Sequence, residues 1–224
     1  MPQKITKNSP PDPASLLDEA PLSDSLRALA RRGELRRVRK GTRLITENDF
    51  GETIFVVVQG RLRAFSVGAD DREVTYGIYG PGEYVGEMSL DGGPRSADVE
   101  VIETGYVVLV TRRTLEAHLA EQPQFAFELL AKVIRRARHA TLGLRQIALN
   151  DVYGRLKGFL EAHAVPLPDG TFTLEPAPSQ KEISQVIGCS REMVTRVMKD
   201  LELGGYVESG RRHVRVLKAL PAKW

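Results

Sequence analysis

The chain has 224 residues, 42% hydrophobic and 27% charged, with a formal net charge of +3 and a pI near 9.0. This composition suits one or two soluble globular domains, and apolar runs such as Tyr106–Val110 are far too short to span a bilayer. Cys189 is the single cysteine, which excludes an internal disulfide and a cysteine-ligated iron–sulfur cluster. Lys4 and Lys7 have no apolar run behind them, so no signal peptide is expected, and a reducing cytoplasm is the expected compartment. The mild basic excess tolerates a polyanionic partner without demanding one.

Residues 1–22 are rich in Pro and Ser and lack periodicity, which predicts a flexible tail. The next domain is expected over 23–123. From Leu35 to Val110 short β-like runs alternate with chain breakers. The runs are Thr53–Gln59, Leu62–Val67, Glu73–Ile78, Asp98–Ile102 and Tyr106–Val110. The breakers are Gly41, Gly51, Gly60, Gly68, Gly80-Pro81-Gly82 and Gly92-Gly93-Pro94. Turn signals at this density predict an antiparallel sandwich, barrel or jelly roll rather than βαβ units.

Inside that region Gly86-Glu87-Met88-Ser89-Leu90 is followed by Pro94-Arg95-Ser96-Ala97. Glycine allows close backbone approach. Glu87 can accept from a ribose hydroxyl, Arg95 can hold a phosphate through two charge-assisted bonds, and Ser96 can donate another. On its own, an Arg-Ser pair is more often a surface turn.

A helix is predicted over 124–149, where Gly143 is the only Gly or Pro. Leu130, Ile134, Ala137, Thr141, Leu144 and Ala148 recur at alternating spacings of 4 and 3, the heptad pattern of a dimer seam. Arg135, Arg136, Arg138 and Arg145 would solvate its flanks. The alternative is a helix packed on its own β-domain. A further helix, Val152–His163, leads into a Pro-rich break over Val165–Gly170.

The last domain is expected over 150–224. Ser179 and Glu182 form a capping-box pair ahead of an apolar face made by Ile183, Val186 and Ile187. Gly188-Cys189-Ser190 makes a tight turn, and Ser190 caps a second helix reaching about Leu203. Helix, short Gly-containing turn and helix make a helix-turn-helix. On the second helix Val194, Val197, Met198 and Leu201 form a core stripe. Arg191, Glu192, Thr195, Arg196 and Lys199 form the opposite ridge, able to enter a major groove. Tyr206-Val207 and His213–Val216 read as a hairpin, with Arg211 and Arg212 at a tip that would touch phosphate as a wing. Ser179, Lys181, Ser190, Thr195 and Lys199 are further backbone-contact candidates. A solvated charged face is the bland alternative for the ridge alone; the ordered set of cap, turn, ridge and basic hairpin favours double-stranded DNA.

The stretch EISQVIGCSREMVTRVMKDLE resembles the recognition motif of the cyclic-AMP receptor protein/fumarate-nitrate regulator family of bacterial transcription regulators. The resemblance covers roughly residues 35–217. It implies an α+β fold: an N-terminal antiparallel jelly roll, a long dimerisation helix and a C-terminal winged helix-turn-helix. It implies that Arg191, Glu192 and Arg196 contact bases in a TGTGA-like half-site, and that RNA polymerase is a partner. The segments around Glu87 and Arg95 resemble the family's phosphate-binding cassette, so Gly86, Glu87, Met88, Arg95 and Ser96 would hold a cyclic nucleotide. Arg136 matches the family's helix arginine near the ligand. Two departures stand out. The loop between Gly86 and Arg95 is shorter than the family's, and the Thr-Ser pair that meets the adenine amino group is here Ala140-Thr141. Thr141 lies on the seam and can still reach a base across a dimer; Ala140 cannot hydrogen-bond. Cyclic AMP is the expected effector, with cyclic GMP, cyclic di-GMP or ligand-independent action as alternatives and no prosthetic group.

Two other functional classes fit the sequence less well. A jelly-roll metalloenzyme needs clustered ligands, whereas His118, His139, His163 and His213 are scattered. No nucleophile elbow or P-loop is present, so no catalytic residue is expected. A cyclic-nucleotide module acting on a protein partner would leave the Arg191–Arg196 ridge unexplained.

Overall fold

The structure is a computed structural model that describes residues 13–69, 71–210 and 212–224, without the side chains of 13 and 146–149. The described chain forms two compact units. The first holds the residues up to Phe65 together with Gly77–Val133, and the second holds Ser66–Tyr76 with Ile134–Trp224.

The first unit opens with α1 (Pro13–Glu19) and α2 (Asp24–Ala30), then β1 (Glu34–Val38), β2 (Arg43–Ile45), β3 (Thr53–Val67), β4 (Glu73–Tyr79), β5 (Tyr84–Val85) and β6 (Asp98–Thr111), except that the end of β3 and the first part of β4, within Ser66–Tyr76, count with the second unit. The helix α3 (Arg112–Glu121) and the start of α4 (Phe125–Leu149) close it. The sheet order is β1-β6-β3-β4, with β2 on β6 and β5 on β3. Alternation along β3 serves two cores at once: Ile54, Val56 and Val58 join the helices, while Phe55, Val57 and Leu62 join Val99, Val101 and Val107.

Two expectations need correction. The tail predicted over 1–22 is ordered from Pro13: α1 is helical, and Leu17, Ala20 and Leu22 are buried with Leu26 and Leu29. Its polar backbone is satisfied from a distance, because Arg27 donates to the carbonyls of Leu17, Asp18, Ala20 and Leu22. Local composition gives no hint of either contact; residues 1–12 lie outside the described ones. Secondly, the breaker Gly60 and the gap between the runs Asp98–Ile102 and Tyr106–Val110, which holds Gly105, do not end strands. Each sits inside one long strand, where β3 and β6 shift register. A Cβ at Gly105 would fall 2.0 Å from the Gln59 carbonyl, and one at Gly60 2.5 Å from that of Glu103. The glycines permit backbones to cross closely at a bulge.

The second unit contains most of α4, then α5 (Val152–His163), β7 (Val165–Pro166), β8 (Phe172–Leu174), α6 (Gln180–Ile187), α7 (Arg191–Leu203), β9 (Val207–Ser209) and β10 (Val214–Val216). Its core gathers Leu156 and Leu160 from α5, Ile183 and Ile187 from α6, Val194, Met198 and Leu201 from α7, and Val207 and Val214 from the strands. The strands form one sheet in the order β7-β8-β10-β9. The expected two-stranded wing is therefore half of a four-stranded sheet, and the Pro-rich break is the turn joining its other half. The unit boundary falls within α4, between Val133 and Ile134, whereas the sequence sets residues 124–149 apart from the domains on either side. Leu130, Ile134, Leu142 and Leu144 on α4 are 49–69% exposed.

Candidate effector pocket and DNA-reading face

The pocket is organised by Gly86, which precedes a single 3-10 turn, Glu87–Ser89. Gly86 has φ 91°, and a Cβ there would lie 2.6 Å from the Thr53 carbonyl and 2.8 Å from Arg95 Nη1. Only glycine combines that dihedral with that approach. Arg95 is buried. Its Nη1 donates to the Gly86 carbonyl at 2.8 Å and to Ser89 Oγ at 2.9 Å, and its Nη2 donates to the Thr53 carbonyl at 2.9 Å. Ser89 in turn donates to the Gly51 carbonyl at 2.8 Å. Burial pushes the Arg95 pKa down and the Glu87 carboxylate opposes that; an arginine nevertheless stays charged.

Three of the guanidinium's N–H groups are thus committed to the protein. The Nε–H and the second Nη2–H, which share one edge, have no partner among the described residues. That edge is the fork suited to two oxygens of a phosphate. Gly51 keeps it open, since a Cβ at Gly51 would sit 2.9 Å from Nη2 and 3.2 Å from Nε. An open cavity of about 320 Å³ adjoins it, lined by Phe50, Gly51, Glu52, Ser89, Gly92 and Gly93.

Of the residues expected here, Gly86, Glu87 and Arg95 come together, with Glu87 buried. Met88 is 60% exposed, and exposed Ser96 places its Oγ 3.4 Å from Met88 Sδ. Arg136 and Thr141 belong to the second unit, where the Thr141 hydroxyl donates to the Ala137 carbonyl at 2.9 Å. Gly51, Thr53 and Ser89 were not foreseen as site residues. Gly51 was legible only as a breaker, because its contact with Arg95 spans 44 positions of chain.

In the second unit the capping box is complete: Ser179 N donates to Glu182 Oε2 at 2.6 Å, and Glu182 N donates to Ser179 Oγ at 3.2 Å. Gly188 turns the chain at φ 66°, and Ser190 Oγ caps α7 by accepting from Met193 N at 3.2 Å. Val194, Val197, Met198 and Leu201 are buried, which forces the ridge Arg191, Glu192, Thr195, Arg196 and Lys199 outward, where all five are exposed. The Glu192 carboxyl is held below its ordinary range by its own backbone, the Ser190 hydroxyl and Arg191, which keeps it an anionic acceptor. Lys181 and Arg212 are exposed, while Arg211 lies outside the described residues. Ser179 and Ser190 thus serve first as caps. One contact had no local signal: Thr195 on α7 donates to Gln180 Oε1 on α6 at 2.6 Å.

The cyclic nucleotide-binding domain model matches residues 35–122, and the Crp-like helix-turn-helix domain model matches residues 154–220. The chain is 31% identical over 185 residues to the Cyclic AMP receptor protein of Thermus thermophilus, covering 80% of this chain and 82% of that one. It is 27% identical over 172 residues to a CRP-like cAMP-activated global transcriptional regulator of Mycobacterium tuberculosis, covering 75% and 77%. The solved c-di-GMP-responsive global regulator CLP of Xanthomonas campestris superposes with a TM-score of 0.75 at 22% identity, covering 87% of this chain and 99% of that one.

Proposed function

This chain belongs to the cyclic-AMP receptor protein/fumarate-nitrate regulator family, and from that premise we propose that it works as a homodimer switched by cyclic AMP on a palindromic operator of TGTGA-like half-sites. It is a transcription regulator and not an enzyme, with a cyclic nucleotide-binding domain and a DNA-binding helix-turn-helix.

The observation that carries the effector reading is the Nε/Nη2 edge of buried Arg95, left open by Gly51 while the rest of the guanidinium is anchored. A preoriented cationic fork beside Gly86 and Glu87 suits a cyclic phosphate and its ribose. Met88 and Ser96 complete the proposed rim. Arg136 and Thr141 are proposed to complete the pocket from α4, so that ligand would bias the helix leading to the reader. Such a ligand must bind the DNA-competent state better than the resting one.

For DNA, Arg191 and Arg196 are proposed to take guanine O6 and N7, and Glu192 to accept from cytosine N4. Ser179, Lys181, Ser190, Thr195, Lys199, Arg211 and Arg212 are proposed to follow the backbone. The exposed apolar residues of α4 supply the proposed dimer seam, and RNA polymerase is the proposed transcriptional partner. The test is operator affinity measured with and without cyclic AMP, cyclic GMP and cyclic di-GMP. A rise of roughly 5–150-fold with cyclic AMP alone is expected. A rise with another nucleotide reassigns the effector, and none with any overturns nucleotide control while leaving DNA binding standing.

A further inference from the structure

Thr195 sits on the ridge of α7, one turn beyond Arg191. Its hydroxyl is not free. It lies 2.6 Å from Gln180 Oε1 and 3.0 Å from the Arg191 carbonyl. A hydroxyl carries one proton. At 2.6 Å the contact with Gln180 has the ordinary length of an O–H···O bond, and the longer one is the weaker share. Gln180 is half-buried at the start of α6, next to exposed Lys181. A glutamine amide normally offers both a donor and an acceptor, and its terminal torsion is broad. With Thr195 donating to Oε1, the orientation of the amide is fixed and its NH₂ is left to donate elsewhere.

We propose that Gln180 is an uncharged phosphate contact of the DNA-reading surface and that Thr195 is its positioning residue, acting on DNA through Gln180 rather than directly. The inference rests on the DNA-reading assignment of α7 and revises the direct backbone role given to Thr195. An NH₂ held in one direction complements an acceptor, and in a helix-turn-helix the first helix crosses the backbone, so the acceptor is a phosphate oxygen.

The experiment uses the full chain with cyclic AMP and two labelled duplexes: a palindrome of TGTGA half-sites and a scrambled duplex of equal composition. Gln180→Ala is expected to weaken both by the same factor, about threefold to tenfold for one hydrogen bond. The salt slope should stay unchanged, because no cation is lost. Thr195→Val should show the same loss and Thr195→Ser none. In the Gln180→Ala background, Thr195→Val should cost nothing more, which marks coupling through one contact. Thermal unfolding of each variant controls for folding. Additive losses would mean that Thr195 touches DNA itself and would overturn the inference. So would a loss confined to the palindrome, the signature of a base contact, or no loss from Gln180→Ala. If the wild type bound neither duplex, the DNA-reading assignment itself would fall and the inference with it.

Discussion

Gly51 stands against the open edge of Arg95, where a Cβ would come within 2.9 Å of Nη2 and 3.2 Å of Nε. The guanidinium has little room to yield, because Gly86, Ser89 and Thr53 hold it from the other side. Gly51→Ala is therefore expected to weaken cyclic AMP binding by about tenfold or more, the scale of one charge-assisted bond. Calorimetric titration measures it; unchanged affinity would remove Gly51 from the site.

Arg95 also has a structural share. Arg95→Ala strands the carbonyls of Gly86 and Thr53 in a buried site, so a stability loss of about 1–3 kcal/mol is expected alongside loss of the nucleotide response. Arg95→Lys keeps the charge but cannot make the fork, and should recover stability better than response. Denaturant unfolding and operator titration on the same preparations separate the two effects.

On the reader, Arg191→Ala should cost about 1–3 kcal/mol and relax preference at one base pair. Arg212→Ala should weaken all sequences alike and flatten the salt slope by about one unit. Binding to a panel of single-base operator variants at several salt concentrations distinguishes them. Unaltered specificity in Arg191→Ala would take α7 out of the groove.

His118 of α3 is fully buried, with its ring edge-on to Phe125 at 5.1 Å. Burial foremost, and then the Arg32 guanidinium, pull its pKa down, while Glu121 and the Ser25 backbone oppose. In the unfolded chain the group titrates near its ordinary value, about 6.5. Between the two values only the unfolded chain takes up the proton. The stabilisation is thus complete above about pH 6.5 and is lost as pH falls below it. His118→Leu should lessen the stability difference between pH 7.5 and pH 5.0, measured by denaturant midpoint. A difference equal to that of wild type would contradict the assignment.

The seam on α4 leads to an expected two-fold dimer. Leu144, 69% exposed, lies within it, and Leu144→Glu should shift the chain toward monomer in sedimentation at micromolar concentration. A wild-type monomer with and without nucleotide would refute the seam.

Much of this protein is written in local patterns. Ser179, Glu182, Gly188 and Ser190 declare the ends of α6 and α7 because caps act over about three residues, and the 3.6-residue period sorts Val194 and Leu201 from Arg191 and Arg196. Glu87 and Arg95 were recognisable as a pair because they are near in sequence. Tertiary structure alone decided the rest. Gly60 and Gly105 interrupt no strand, since their meaning lies in the neighbouring strand each one faces. The order of α1 comes from Arg27 and a core made by other elements. The direction of the Arg95 fork is set by Thr53 and Gly51, more than 40 positions away, and the orientation of the Gln180 amide is set by Thr195 on another helix. Local spacing specifies conformation along the chain, whereas the orientation of a polar side chain is decided by whichever distant partner completes its hydrogen bonds.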